Sequence, residues 1–275
     1  MLLSKPSLCT RTCLVGRSRR FVYAYVPKAA CTSLKRWLAA VEGLVPNAGE
    51  ASAKPGIHAF VKSRAALGAH EAAAILHDPA WFKFAFVRNP LSRLVSAYLD
   101  KMVPGKKTAA RLVRNFQLQD PQTDWWRRLV AAVRADAKRG LTFRQLVQQL
   151  SRERMEKLDE HFRPQSLLLA GLPLDFVGHV ERMDDDFAFV QRRLDTNVPL
   201  SHAKKQAYAA QESGDDVADW PVEEFRAGAS HPHWRRFYPP EVLAAVARIY
   251  ADDFALFGYR AEIEPASSQP LKRAA

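Results

Sequence analysis

Glycine is missing from the whole span between Arg17 and Glu42. That gap excludes the phosphate loop Gly-x-x-x-x-Gly-Lys-[Ser/Thr] from the first strand-to-helix turn of the chain. A nucleoside triphosphate with Mg²⁺ is disfavoured with it, and so is a P-loop nucleotide kinase. Cysteine is scarce: Cys9, Cys13 and Cys31 are odd in number and have no second pair or histidine cluster at ligand spacing. Neither a disulfide framework nor a zinc site is supported, and the three are read as free thiols. No apolar run is long enough to span a bilayer, and Lys5, Arg11, Arg17, Arg19 and Arg20 break up the N-terminal segment. Neither a signal peptide nor a membrane anchor is expected, so the expected location is the cytoplasm, with peripheral membrane association left open. The abundance of alanine and arginine points to a bacterial source. Acid is in deficit: 29 Asp+Glu against 41 Lys+Arg leave a net charge of +12.

The 275 residues, 48% hydrophobic and 25% charged, suffice for a full core. A basic N-terminal segment (1–20), a folded domain (21–260) and a loose tail (261–275) are expected, with a helical insertion at about 103–157. Lys101 to Lys157 alone holds 14 Lys+Arg against 5 Asp+Glu. This is either a solvated helical surface or an attraction for an anionic partner such as nucleic acid, a membrane headgroup or an acidic polysaccharide. A non-enzymatic nucleic-acid-binding protein would account for that charge. No recognisable reading motif accompanies it, so nucleic acid is not the expected partner.

Phe21 to Val26 and Phe82 to Val87 are continuous apolar runs that fit strands buried on both faces of a parallel sheet, and Asp175 to Val180 is a third candidate. Leu34, Trp37, Leu38 and Val41 form one helical stripe, and Leu91, Val95, Tyr98 and Met102 another. Gly43 to Ser63 reads as a loop containing His58, followed by a short alanine-rich helix to Leu76. Thr142 and Gln145 form a capping box for a helix through Leu150. Glu181 to Leu194 reads as a helix, His202 to Pro232 as irregular, and Pro239-Pro240-Glu241 opens a last helix.

Two strand-loop-helix units carry the chemistry. In Pro27-Lys28-Ala29-Ala30-Cys31-Thr32-Ser33 a strand feeds a helix N-terminus, where unpaired amides and the positive dipole end suit an anion. Lys28 adds a charge there, and Thr32 and Ser33 add hydroxyl donors. Strand-loop-helix units are common in α/β proteins, so this signal is weak alone. The second unit places Arg88 at a strand exit, Asn89 and Pro90 at the helix start and Ser96 on the helix. Arginine suits bidentate phosphate recognition, whereas lysine is a mobile point charge. Neighbouring parallel strands bring both loops to one sheet edge, so the pair specifies a ligand with two separated anionic groups.

These motifs resemble the 5′-phosphosulfate and 3′-phosphate loops of sulfotransferases, and the separation of Arg88 from Ser96 is the one that family uses. Trp81-Phe82-Lys83-Phe84, Asp100-Lys101, Asp159-Glu160-His161-Phe162, Val177-Gly178-His179-Val180-Glu181 and Tyr250 to Tyr259 are similar to the family 2 carbohydrate enzymes of the HNK-1 and chondroitin 4-O group. The resemblance covers roughly residues 21 to 260. It implies an α/β fold with a P-loop NTPase-like parallel sheet flanked by helices and a helical insertion. It also implies 3′-phosphoadenosine 5′-phosphosulfate as donor, no catalytic metal, and a hydroxylated acceptor, glycan or glycolipid.

Under that resemblance Pro27, Lys28, Ala29, Ala30, Cys31, Thr32 and Ser33 hold the 5′-phosphate end, and Lys28 is catalytic as the stabiliser of the leaving phosphate. Arg88 and Ser96 hold the 3′-phosphate. His58 is the expected general base, with His161 and Glu181 as alternatives; Glu181 is otherwise an orienting carboxylate or a helix-start charge. Arg93 is expected to be structural, His179 to be a satisfied core residue, and His231 and His233 to be solvated. Trp125 and Trp126 either stack on a sugar ring or pack between helices. Two departures stand out: Asn89 replaces the aspartate usual in the family, and the Golgi anchor with which animal relatives begin does not appear.

Overall fold

The computed structural model describes residues 12–45, 56–103, 141–201, 208–209, 214–228 and 230–263. Short apolar runs become the strands β1 (Cys13–Gly16), β2 (Phe21–Ala24), β3 (Phe82–Val87) and β4 (Phe176–His179). The helices are α1 (Cys31–Val41), α2 (Ile57–Ala65), α3 (Ala69–His77), α4 (Pro90–Lys101) and α5 (Phe143–Leu150). They continue with α6 (Gln165–Leu169), α7 (Met183–Arg193), α8 (Val222–Ala227), α9 (Pro240–Ile249) and α10 (Ala251–Leu256). The chain divides into two compact units, Met1–Asn89 with Arg163–Lys205 and Pro90–Phe162 with Gln206–Ala275.

The first unit contains the sheet, in the order β1-β2-β3-β4. β2, β3 and β4 run parallel, with Ala24 paired to Ala85 and Val87 to His179. That register brings the segments after Ala24, Val87 and His179 out at one edge. β1 is antiparallel to β2, so residues 13–16 of the basic N-terminal segment form a strand of the sheet. The far side of β1 meets the chain again, with a bridge from Leu14 to Ala66 and a hydrogen bond of 3.1 Å from Leu67 N–H to the Cys13 carbonyl. On one face of the sheet Phe21, Tyr23, Phe84 and Phe86 pack with Trp37 of α1 and Phe187 of α7. Trp37 lies 5.4 Å from each of Phe21 and Phe187 between ring centroids. Fully burying such side chains contributes roughly 1.5–3 kcal/mol apiece.

The expected loop from Gly43 to Ser63 is helical in its last third. Gly56 takes a left-handed φ of 76° as the N-cap of α2, and Ile57, Val61 and Ala65 are buried in the core that holds Leu14. The alanine-rich helix is α3, set off from α2 by the residues that bridge to β1. The glycine and proline content masked α2, because its apolar stripe is only three residues long.

The second unit is helical. Its centre is α4, buried from Pro90 to Leu99, so the amphipathic stripe expected there is a helix enclosed all round. Its Tyr98 packs with Phe143, Phe225 and Phe237 and donates to the Leu141 carbonyl at 2.9 Å. Thr142 accepts from Gln145 N–H and closes the expected capping box on α5. Pro240 starts α9 as expected, and α8 falls inside the stretch expected to be irregular. Most of the basic segment, including Trp125 and Trp126, and the tail from Glu264 onward lie outside the described residues.

Candidate functional site

The cradle is built from backbone that glycine would normally supply. After β2 the chain passes Tyr25, Val26 and Pro27, and then Lys28 (φ 69°) and Ala30 (φ 53°) both take left-handed conformations. For residues with a Cβ this costs about 1–2 kcal/mol each, a strain of the kind that gathers at functional sites. Ala30 is the N-cap of α1 and offers no side-chain acceptor to the first helical amides. Those amides and the dipole end lie beside a turn that also carries the half-buried Lys28, a combination suited to an anion. Cys31 and Thr32 are half-buried and Ser33 is 6% exposed.

Arg88 follows β3, and its backbone is fixed on both sides by Gln165, which is fully buried. Gln165 Oε1 accepts Arg88 N–H at 2.9 Å, and its Nε2 donates to the Arg88 carbonyl at 2.8 Å. The next amide, Asn89 N–H, donates to Glu181 Oε1 at 2.8 Å. Glu181 is therefore an orienting carboxylate for this loop. Arg88 Nη1 reaches the Lys28 carbonyl at 3.4 Å, so the two strand-exit loops meet within the first unit. Neither Gln165 nor its role is visible in the sequence, because the contact spans 77 positions.

His58 stands on the first turn of α2 and is exposed. Its Nε2 lies 3.1 Å from Thr32 Oγ1 and its Nδ1 lies 3.1 Å from Lys35 Nζ. Lys35 is buried, with its ammonium 3.5 Å from the centroid of the Tyr25 ring. Burial also pushes the neighbouring Tyr23 phenol well above its ordinary value, with the charges of Cys31 and Tyr25 adding to the shift.

In the second unit Ser96 lies on α4 and is 4% exposed. Arg93 on the same helix is buried and donates to the Glu160 carbonyl at 3.1 Å, the structural role expected of it. Tyr250 Oη donates to the Phe162 carbonyl at 2.6 Å. The backbone is thus held on both sides of His161, and its ring is held too, with Nδ1 2.7 Å from Asp159 Oδ1. An ionised carboxylate only accepts, so Nδ1 is the donor in this pair, and in a neutral imidazole the acceptor is then Nε2.

His179 is satisfied as expected, with Nδ1 3.0 Å from Arg182 Nη2, although it is not in the core. It is half-buried at a strand end, where its amide donates to Asp186 at 2.7 Å. His231 and His233 are half-buried rather than solvated, and burial pulls the His231 imidazole below its ordinary value. Cys13 is buried and Cys31 half-buried, and neither is in a disulfide. Among the described residues no cluster of three or more His, Cys, Asp or Glu could hold a metal ion, and no helix is long and apolar enough to cross a membrane.

The cradle and the Arg88 loop together fit a ligand anionic at two points. The first turn of α1 has no side-chain cap, and Arg88 stands on a backbone fixed by Gln165, so amides and a guanidinium are both present for such a ligand. A model of the sulfotransferase family matches residues 11–260. Carbohydrate sulfotransferase 14 of Danio rerio is 26% identical over 252 residues, 90% of this chain and 61% of that protein. Its counterpart in Mus musculus is 29% identical over 255 residues, 90% of this chain and 60% of that protein. Carbohydrate sulfotransferase 11 of Rattus norvegicus is 25% identical over 256 residues, 90% and 66% of the two chains. The chain spans about three fifths of the length of the first of these curated relatives. No solved structure matches it.

The relatives overturn the expectation of a bacterial, cytoplasmic protein. They are carbohydrate sulfotransferases of animals, the group whose members the resemblance already places in the Golgi. Alanine and arginine content does not identify a lineage, and the lack of a long apolar run names no compartment.

Proposed function

The chain belongs to the sulfotransferase family, and from that membership we propose that it moves the sulfuryl group of 3′-phosphoadenosine 5′-phosphosulfate to a hydroxyl of a glycan. The observation that carries this reading is the meeting of two differently built anion loops at one edge of the parallel β2–β3 pair, with Arg88 Nη1 3.4 Å from the Lys28 carbonyl.

The donor supplies an activated sulfuryl group, whose bond to the 5′-phosphate breaks as a bond to the acceptor oxygen forms. Pro27 to Ser33 hold the 5′-phosphate through loop and α1 amides and the hydroxyls of Thr32 and Ser33. Lys28 meets the charge that grows on that phosphate as it leaves. Arg88, its backbone fixed by Gln165, meets the 3′-phosphate, and the resemblance of the motif gives Ser96 to the same group. Positioning and charge stabilisation dominate such an in-line transfer, as they do in phosphoryl transfer.

The acceptor proton needs an imidazole with an available lone pair. His58 shares its two ring nitrogens between Lys35 and Thr32, so we keep it with the donor-binding residues. His161, oriented by Asp159, takes the role of base. The basic segment from Lys101 to Lys157 favours an acidic glycan as acceptor.

Adenosine 3′,5′-bisphosphate should raise the melting temperature of the full chain, and Lys28→Ala or Arg88→Ala should remove most of the rise. No shift at saturating ligand would overturn the reading. Labelled donor offered to charged and neutral glycans over a salt series then tests the acceptor class, and equal turnover throughout would remove the acidic-glycan assignment.

A further inference from the structure

We propose that Lys35, acting through His58, fixes the Thr32 hydroxyl as a hydrogen-bond donor to the anion held at the start of α1. Lys35 and His58 are then positioning residues of the donor site. The proposal rests on the reading of that cradle as the 5′-phosphate site.

Lys35 is 1% exposed in the middle of α1. Burying an ammonium is costly unless it is paired, and an apolar side chain would fill the position at less cost. The ammonium lies over the Tyr25 ring at 3.5 Å, and Lys62 of α2 lies over the same ring at 4.9 Å. The contact of Lys35 with His58 Nδ1, at 3.1 Å, is the informative one. An ammonium has three hydrogens and no acceptor. Nδ1 therefore accepts, and a neutral imidazole must carry its hydrogen on Nε2.

That hydrogen faces Thr32 Oγ1 at 3.1 Å. Oγ1 is thereby the acceptor, and its own hydrogen is released for a different partner. Among the described residues no acceptor takes it. The three groups donate in one direction, from Lys35 to His58 to Thr32, and bonds aligned this way polarise one another. The relay ends on the first turn of α1, beside amides that Ala30 leaves without a side-chain cap. With the other tautomer, an N–H would oppose the Lys35 ammonium and the Thr32 hydroxyl would have to donate to Nε2, away from an anion. Lysine at 35 thus decides which way a threonine three residues earlier can donate.

The test is calorimetric titration of the full chain with adenosine 3′,5′-bisphosphate, together with ¹⁵N-histidine NMR of the ligand-free protein. Thr32→Val, His58→Phe and Lys35→Met should each weaken binding about tenfold, the scale of one hydrogen bond to a charged group. Thr32→Val combined with His58→Phe should bind no more weakly than Thr32→Val alone, because one break already severs the relay. His58→Gln, whose side chain has both an acceptor and a donor, should recover most of the affinity lost in His58→Phe. NMR should find the His58 hydrogen on Nε2. His58 is exposed, so its variants keep the proposal testable if Lys35→Met does not fold. Absence of binding by the unmodified chain would overturn the cradle reading and this proposal together. Binding that His58→Phe leaves intact, additive losses in the double variant, or a His58 hydrogen on Nδ1 would overturn this proposal alone.

Discussion

Gln165 serves the backbone of Arg88 as a neighbouring strand would, accepting its N–H and donating to its carbonyl through one side-chain amide. Gln165→Leu keeps the volume and removes both bonds, leaving two backbone groups without that partner at a buried position. A loss of about 2–6 kcal/mol in urea unfolding is expected, at roughly 1–3 kcal/mol for each group. Gln165→Glu keeps the acceptor and loses the donor, so it should fall between. Equal stability of all three proteins would contradict the relationship.

Ala30 pays for its left-handed φ of 53° with steric strain. Ala30→Gly removes the Cβ but adds unfolded-state entropy, so stability should hold or rise by up to about 1 kcal/mol. Ala30→Val brings a β-branched side chain into the same conformation and should cost about 1–3 kcal/mol. Denaturant midpoints measure both. A stabilising valine would mean that the loop does not hold this conformation in solution.

His161 is clamped at the carbonyls on either side and at its ring. As general base it should contribute on the order of 10²–10⁴ to turnover. His161→Gln should lower kcat by that factor while the melting shift with adenosine 3′,5′-bisphosphate persists. A full loss of that shift with unchanged kcat would give His161 a binding role instead.

Arg17 and Glu71 form an ion pair with a shortest distance of 2.7 Å. The Arg17 hydrogen bond, followed by the Gly68 amide, holds the Glu71 carboxyl below its ordinary value. Folding therefore favours the charged form. The contribution is complete above the ordinary glutamate value of about 4.3 and is lost as pH falls through the lower folded value. The Arg17 side chain is 55% exposed, which limits the gain to a fraction of about 1 kcal/mol. Melting curves of the unmodified protein and of Glu71→Gln should converge as the medium becomes more acid. A constant difference between them would remove Glu71 as the source.

The sheet strands that are buried on both faces were legible because they are unbroken apolar runs, and the loops that carry Lys28, Thr32 and Arg88 because they stand where such runs end. β1 was not, since four residues beside a cluster of arginines carry no period. α2 was hidden by composition, and with it the fact that His58 sits on a helix. Gln165 and Lys35 are a different case. Each acts through a partner brought close only by folding, Arg88 for one and His58 for the other, and a single sequence holds no trace of such pairs.

The bridge from Leu14 to Ala66 and the Leu67 bond to Cys13 bear on solubility. An open edge on an apolar strand is a template on which another chain can add. Here the backbone leading out of α2 occupies part of that edge. Substitutions that loosen α2 at Ile57, Val61 or Ala65 would bare β1, and the first symptom to appear would be self-association during expression rather than weak catalysis.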